Sequence, residues 1–172
     1  MFENNSKNPA LWIAYAAMTA GIYTALTLVF APISFGPVQF RISEVLCVLP
    51  IFFPAAVPGL FIGCFIANFL AGAVAADIVF GSLATLIGAA GTYMLREKKY
   101  IASLPPVIAN ILIIPFVLKY AYGMNDFIPF MMLTVGAGEF IAVCVLGNML
   151  SFTLSKYKKF IFTAEHSNSK RL

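Results

Sequence analysis

Residues 9–44 read "PALWIAYAAMTAGIYTALTLVFAPISFGPVQFRISE". From Pro9 to Ala31 the stretch carries no charge, and about 20 apolar residues suffice to cross the hydrocarbon core of a bilayer. A polar segment follows, with Gln39, Arg41 and Glu44 close together. An uncharged run of this length reads as a membrane-spanning helix, and the polar segment as its exit.

The rest of the chain extends this pattern. Hydrophobic residues make up 61% of the 172 positions and charged ones 10%, with a mean hydropathy of +0.92. Such a composition is far from that of soluble domains. It predicts an all-α integral membrane protein, a bundle of six transmembrane helices. The expected spans run from Pro9 to Ala31, from Ser43 to an interruption at Pro54–Pro58, and from Gly59 to Ala76. Asp77 and Gly81 then mark a turn into a fourth span that ends at "LREKKY". The fifth covers Ser103 to Tyr122, with a kink at Pro115, and the sixth Pro129 to Ser155. Residues 1–155 form the transmembrane domain and 156–172 a polar, basic tail. "MFENNSKNPA" has no basic leader region, so the first span is expected to stay in the membrane.

Basic residues set the orientation. With both termini cytoplasmic, Lys7, Arg96, Lys98, Lys99, Lys156, Lys158, Lys159, Lys170 and Arg171 all face inward. Of the 11 basic residues, this leaves Arg41 and Lys119 outside. The net charge of +4 is accounted for by this asymmetry and by contact of "SKYKKF" with anionic lipid. It gives no reason to expect nucleic acid.

Acids near the spans are few: Glu44, Asp77 and Glu139. Charges at mid-bilayer cost about 2.5–3.5 kcal/mol on insertion scales and face a cavity or a partner. Glu44, Arg41 and Asp77 have structural explanations as good as functional ones. Ser43 is a candidate N-cap with Glu44 in the first turn, Arg41 is placed to pair with Glu44 at i, i+3, and Asp77 is placed to cap the fourth span. Glu139 has no such explanation, being deep in the sixth span, where Gly136 and Gly138 reduce bulk. Asn68 and Asn110 call for interhelical hydrogen bonds or, with Glu139, for a polar pocket walled by Phe and Ile. Along the first span Ala10, Ala14, Ala17 and Gly21 recur at helical spacing, with Ala25 continuing the stripe. This is either internal packing or a docking face for another membrane protein.

Cys47, Cys64 and Cys144 lie singly in apolar runs, which argues against disulfides or a metal site and for small hydrophobes. No phosphate-cradling loop or nucleophile–base pair is apparent, so no cofactor and no ATP hydrolysis by the chain itself are expected.

"YTALTLVFAPISFGPVQFRISEVLCVLP", "GCFIANFLAG", "DIVFGSLATLIGA", "PPVIAN", "VGAGEF" and "LGNML" together resemble the QueT-type carriers of queuosine precursors, over about residues 12–150. These are S components, substrate-binding subunits of energy-coupling factor (ECF) transporters. The resemblance implies a small-molecule site near the outer face, a membrane coupling protein and two ATPase subunits as partners, and a first helix whose small residues dock to the coupling protein. It implies a 7-deazaguanine ligand, such as preQ1 or queuine. Glu139 is then expected on the guanine-like edge and Glu44 or Asp77 near the ligand ammonium. Gln39, Asn68 and Asn110 would supply donors and acceptors, and Arg41 would orient Glu44. An S component for riboflavin or thiamine, an autonomous facilitator and an intramembrane enzyme are the competing readings.

Overall fold

The computed structural model describes residues 9–34, 40–98 and 101–156. Among the described residues every element is a helix, and there are no strands. In order they form α1 (Pro9–Val29), the short α2 (Ala31–Ser34), a 3₁₀ helix (Ile42–Ile51), α3 (Ala56–Leu70), α4 (Ala75–Met94), α5 (Leu104–Tyr120) and α6 (Ile128–Glu139). A π-helical segment, Phe140–Gly147, continues α6, and helix resumes to residue 156.

Local chemistry explains most of these boundaries. Proline stands in the first turn of α5 and α6, where its missing N–H costs no hydrogen bond. Between α3 and α4 the chain turns at Gly72, which has φ of +72°, a conformation open to glycine at little cost. The expected turn at Asp77–Gly81 is thus displaced: both residues lie inside α4. The second expected span is the 3₁₀ helix, with Pro50 within it. At 2.0 Å per residue its ten residues rise about 20 Å, less than the hydrocarbon thickness of about 30 Å. Ser43 is not its N-cap. That position belongs to Arg41, with no side-chain cap, and Ser43 Oγ instead lies 2.7 Å from Thr27 Oγ1.

Among the described residues three segments are long and apolar enough to cross a membrane: Pro9–Val29, Ala75–Met94 and Ile128–Lys156. The 3₁₀ helix, α3 and α5 are shorter apolar helices. Their outward faces are oily. Val29, Phe69, Phe127, Leu133, Met149 and Phe152 are all exposed, as expected when lipid rather than water surrounds the bundle. This is a helical, multi-pass membrane protein.

The interior is built on close helix approach. A Cβ at Gly59 would meet Ala16 O at 2.6 Å and Thr19 Cβ at 2.9 Å, and one at Gly63 would meet Ala20 O at 2.9 Å. Small residues on the two helices therefore let α1 and α3 pack nearly backbone to backbone. Leu60, Cys64, Ala67, Val48, Tyr23, Val107 and Val143 form the central core. A second cluster joins Ile114 and Leu118 to Met131 and Val135, fastening α5 to α6.

Candidate functional site

Polar side chains converge where α1, the 3₁₀ helix, α3 and α4 meet. Arg41, at the mouth of the 3₁₀ helix, forms an ion pair with Asp77 in the first turn of α4, Nη2 to Oδ2 at 3.2 Å. It also approaches Oδ1 at 3.3 Å. This corrects the expectation that Arg41 pairs with Glu44 three residues on. The partner comes from 36 residues away, because the turn at Gly72 returns α4 alongside the 3₁₀ helix. Tyr122, from the connection between α5 and α6, donates its hydroxyl to Asp77 Oδ2 at 3.0 Å. The side chain of Asn68 donates Nδ2 to the Asp77 carbonyl at 3.2 Å. Gly81 makes room for the group: a Cβ there would lie 2.8 Å from Asp77 Oδ1 and 3.2 Å from Asn68 Nδ2.

These bonds bring the start of the 3₁₀ helix, the α3–α4 turn and the α5–α6 connection to one end of the bundle. Tyr122 stands outside the helices there, 38% exposed. Its phenol is pushed up to about 12, first by burial and then by the Asp77 carboxylate to which it donates.

Glu44 is fully buried, at 0% exposure, and its oxygens have partners inside the protein. Oε1 accepts the Tyr23 hydroxyl, Oε2 lies 2.8 Å from Cys47 Sγ, and Thr85 Oγ1 is 3.5 Å from Oε1. Cys64 Sγ sits 3.4 Å from Thr85 Oγ1. Two cysteines expected to act only as small hydrophobes thus border the polar network. All three remain free thiols.

Glu139 differs. As the last residue of α6 it lies about 16 Å from the helix start at 1.5 Å per residue, and it is 5% exposed. Glu44 and Arg41 act on its carboxyl electrostatically, and the Asn110 amide is its side-chain hydrogen-bonding neighbour. Glu139 Oε2 and Asn110 Nδ2 are both buried and make no close hydrogen bond to any other group, and neither does Asn68 Oδ1. A buried polar atom left unmatched costs about 1–3 kcal/mol. The site therefore brings a carboxyl group of α6 and an amide donor of α5 within reach of each other in the buried interior. The π-helical segment starts immediately after Glu139, a geometry frequent at functional sites.

Arg41, Glu44, Asn68, Asp77, Asn110 and Glu139 thus belong to one neighbourhood. Gln39 lies outside the described residues. Ala10, Ala14, Ala17 and Gly21 are elsewhere, along the exposed face of α1; a Cβ at Gly21 would meet nothing within 4 Å. Internal packing of α1 uses the neighbouring Ala16 and Ala20 instead. Sequence reasoning missed Tyr23, Thr85 and Tyr122. A tyrosine in an apolar span is a usable signal, since its hydroxyl needs a partner, whereas nothing in the sequence marks Tyr122.

The family model described as QueT transporter matches residues 13–156. The Queuosine precursor transporter QueT of Lactococcus lactis subsp. cremoris is 38% identical to this chain over 77 residues. That stretch is 44% of this chain and 45% of the relative, so the chain spans about half the length of the curated relative it matches. No solved structure matches the chain significantly.

Proposed function

Because the chain belongs to the QueT transporter family, we propose that it is the substrate-binding S component of an ECF-type, ATP-driven importer of a queuosine precursor. The cargo is a 7-deazaguanine such as preQ1 or queuine. The family is one of transporters, not enzymes, and the named relative carries a queuosine precursor.

One observation supports the reading at the site: the Glu139 carboxyl and the Asn110 amide meet in the buried interior without a close hydrogen bond to any other group. A guanine-like edge offers adjacent N–H donors, which a carboxylate accepts with charge-assisted strength. Its lactam oxygen needs a donor, which an amide nitrogen supplies. Glu139 binds the first and Asn110 the second. Glu44, Arg41 and Asp77 frame the site rather than touching the ring, because Glu44 is held by Tyr23 and Cys47, Arg41 Nη2 by Asp77, and Asp77 by Arg41 and Tyr122.

The remaining parts follow from this role. The chain crosses the membrane six times with both ends cytoplasmic, residues 1–155 forming the binding domain and 156–172 a lipid-facing tail. Arg41 is buried in its ion pair, so Lys119 is the remaining basic residue on the outer side. Arg96, Lys98 and Lys156, all exposed, lie on the inner side. The end tied together by Asp77 is outermost, and the stripe Ala10, Ala14, Ala17 and Gly21 docks the membrane coupling protein, which brings two ATPase subunits.

Thermal unfolding of the purified chain tests the reading. PreQ1 or queuine should raise the midpoint, while riboflavin and thiamine should not. A shift with either vitamin and none with the deazaguanines refutes it.

A further inference from the structure

We infer that Ile111 and Gly136 are positioning residues for the cargo: their contact sets the spacing of α5 and α6 at the level of Asn110 and Glu139. The inference rests on the deazaguanine reading above and concerns how its two polar groups are held. In the sequence, Gly136 reads as a gap that reduces bulk near Glu139. The structure fills that gap from the protein itself. A Cβ at Gly136 would lie 2.8 Å from Ile111 Cδ1 and 3.1 Å from Ile111 Cγ1, so the tip of Ile111 occupies the space a side chain would take.

Register explains why this contact reaches the site. Ile114 and Leu118 of α5 cluster with Met131 and Val135 of α6. Later residues of α5 thus meet earlier residues of α6, and the two helices run antiparallel. Continuing that pairing past Ile111 and Gly136 sets Asn110 opposite Glu139, its side-chain hydrogen-bonding neighbour. Asn110 adjoins Ile111 in the chain, and Glu139 follows Gly136 at i+3, where helix neighbours share a face. Neither polar group can turn to water, being 2% and 5% exposed, so the helix spacing decides how far apart they lie. Carbon atoms pack best at about 3.5–4.0 Å. Gly136→Ala therefore has to open the contact by roughly 0.5–1 Å, whereas a binding constellation has to hold within about 0.5 Å.

Calorimetry with preQ1 on the purified chain provides the test. Gly136→Ala should weaken binding about tenfold, the equivalent of one hydrogen bond to a charged group. Its unfolding midpoint should stay near wild type, because the gain in helix propensity offsets the crowding. Adding Ile111→Val removes Cδ1, the closest atom, and should restore most of the lost affinity. Wild-type affinity in Gly136→Ala overturns the inference and leaves the deazaguanine reading standing. A loss that Ile111→Val does not repair overturns it too, and assigns Gly136 to direct contact with the ligand. So does an equal further loss when Gly136→Ala is placed in an Asn110→Ala chain, since the spacing acts through that pair. Enlarging the contact from the other side, by Ile111→Phe, decides the matter where Gly136→Ala does not fold: affinity equal to wild type overturns the inference. No preQ1 binding by the wild-type chain overturns both readings.

Discussion

Replacing Asp77 by Asn isolates the charge in the ion pair from its hydrogen bonds. Asp77 is 0% and Arg41 4% exposed, so neither can turn to solvent when the other is lost. Breaking a buried pair by removing one partner costs about 3–5 kcal/mol, because the survivor keeps its desolvation cost without its counter-charge. Asparagine still offers an oxygen to Arg41 Nη2 and to the Tyr122 hydroxyl, so Asp77→Asn belongs at the lower end, about 3 kcal/mol. Alanine removes both acceptors and belongs near the upper end, about 5 kcal/mol. Changing both partners to apolar residues, as in Arg41→Met with Asp77→Leu, should recover much of the loss, because the desolvation cost disappears with the charges. Equilibrium unfolding in mixed micelles, run as a double-mutant cycle, separates these terms. An Asp77→Asn variant within about 0.5 kcal/mol of wild type refutes the reasoning, as does a double variant whose loss equals the sum of the singles.

Four further outcomes are expected. Gly59→Ala forces a Cβ against Ala16 O and Thr19 and should destabilise by about 1–3 kcal/mol, whereas Gly21→Ala meets open space and should leave the unfolding midpoint unchanged. Ala17→Trp, on the exposed face of α1, should reduce recovery of the coupling protein in pull-downs but leave deazaguanine binding intact; loss of both would assign the stripe to internal packing. Tyr122 has its folded value raised from about 10 in the unfolded chain to about 12. The stability it contributes is therefore full below pH 10 and lost as pH rises towards 12. Ultraviolet titration should show one tyrosine ionising near 12 that vanishes in Tyr122→Phe. With Cys144 changed to Ser, a cysteine at Asn125 should react with impermeant thiol reagents on intact cells and one at Lys98 should not. Cys47 and Cys64, both buried, contribute no background, and the reverse pattern overturns the orientation.

Much of the fold was legible because the membrane constrains it so tightly. Apolar runs marked α1, α4 and the long final helix, and the expected starts at Ser103 and Pro129 fall within one residue of those of α5 and α6. The second span was legible only as an interruption: Pro50, Pro54 and Pro58 signal irregular helix without stating a 3₁₀ one. At the site, Glu139 stood out because its depth is countable along one helix. The pairing of Arg41 with Asp77 was not legible. Spacing of i, i+3 pointed to Glu44, and only the return of α4 through Gly72 brings Asp77 closer. Gly81 misled for a related reason. It reads as a turn, but its lack of a side chain serves the space beside Asp77. Cys47 and Cys64 illustrate the same limit, since a thiol in an apolar run shows its hydrogen-bonding role only once Glu44 and Thr85 are placed.

The 3₁₀ helix has a consequence for how the chain enters the membrane during synthesis. Its ten residues include Glu44 and begin directly after Arg41, and they are too short to span the bilayer alone. An insertion machine that judges segments one at a time has little reason to release them sideways into lipid. Tyr23 precedes Glu44 on the chain and is available when it emerges, but Asp77 is made 36 residues after Arg41. Stable burial of Arg41 must therefore await the emergence of α4. The ion pair thus makes membrane entry of this segment a delayed event, decided by a helix hairpin translated after it.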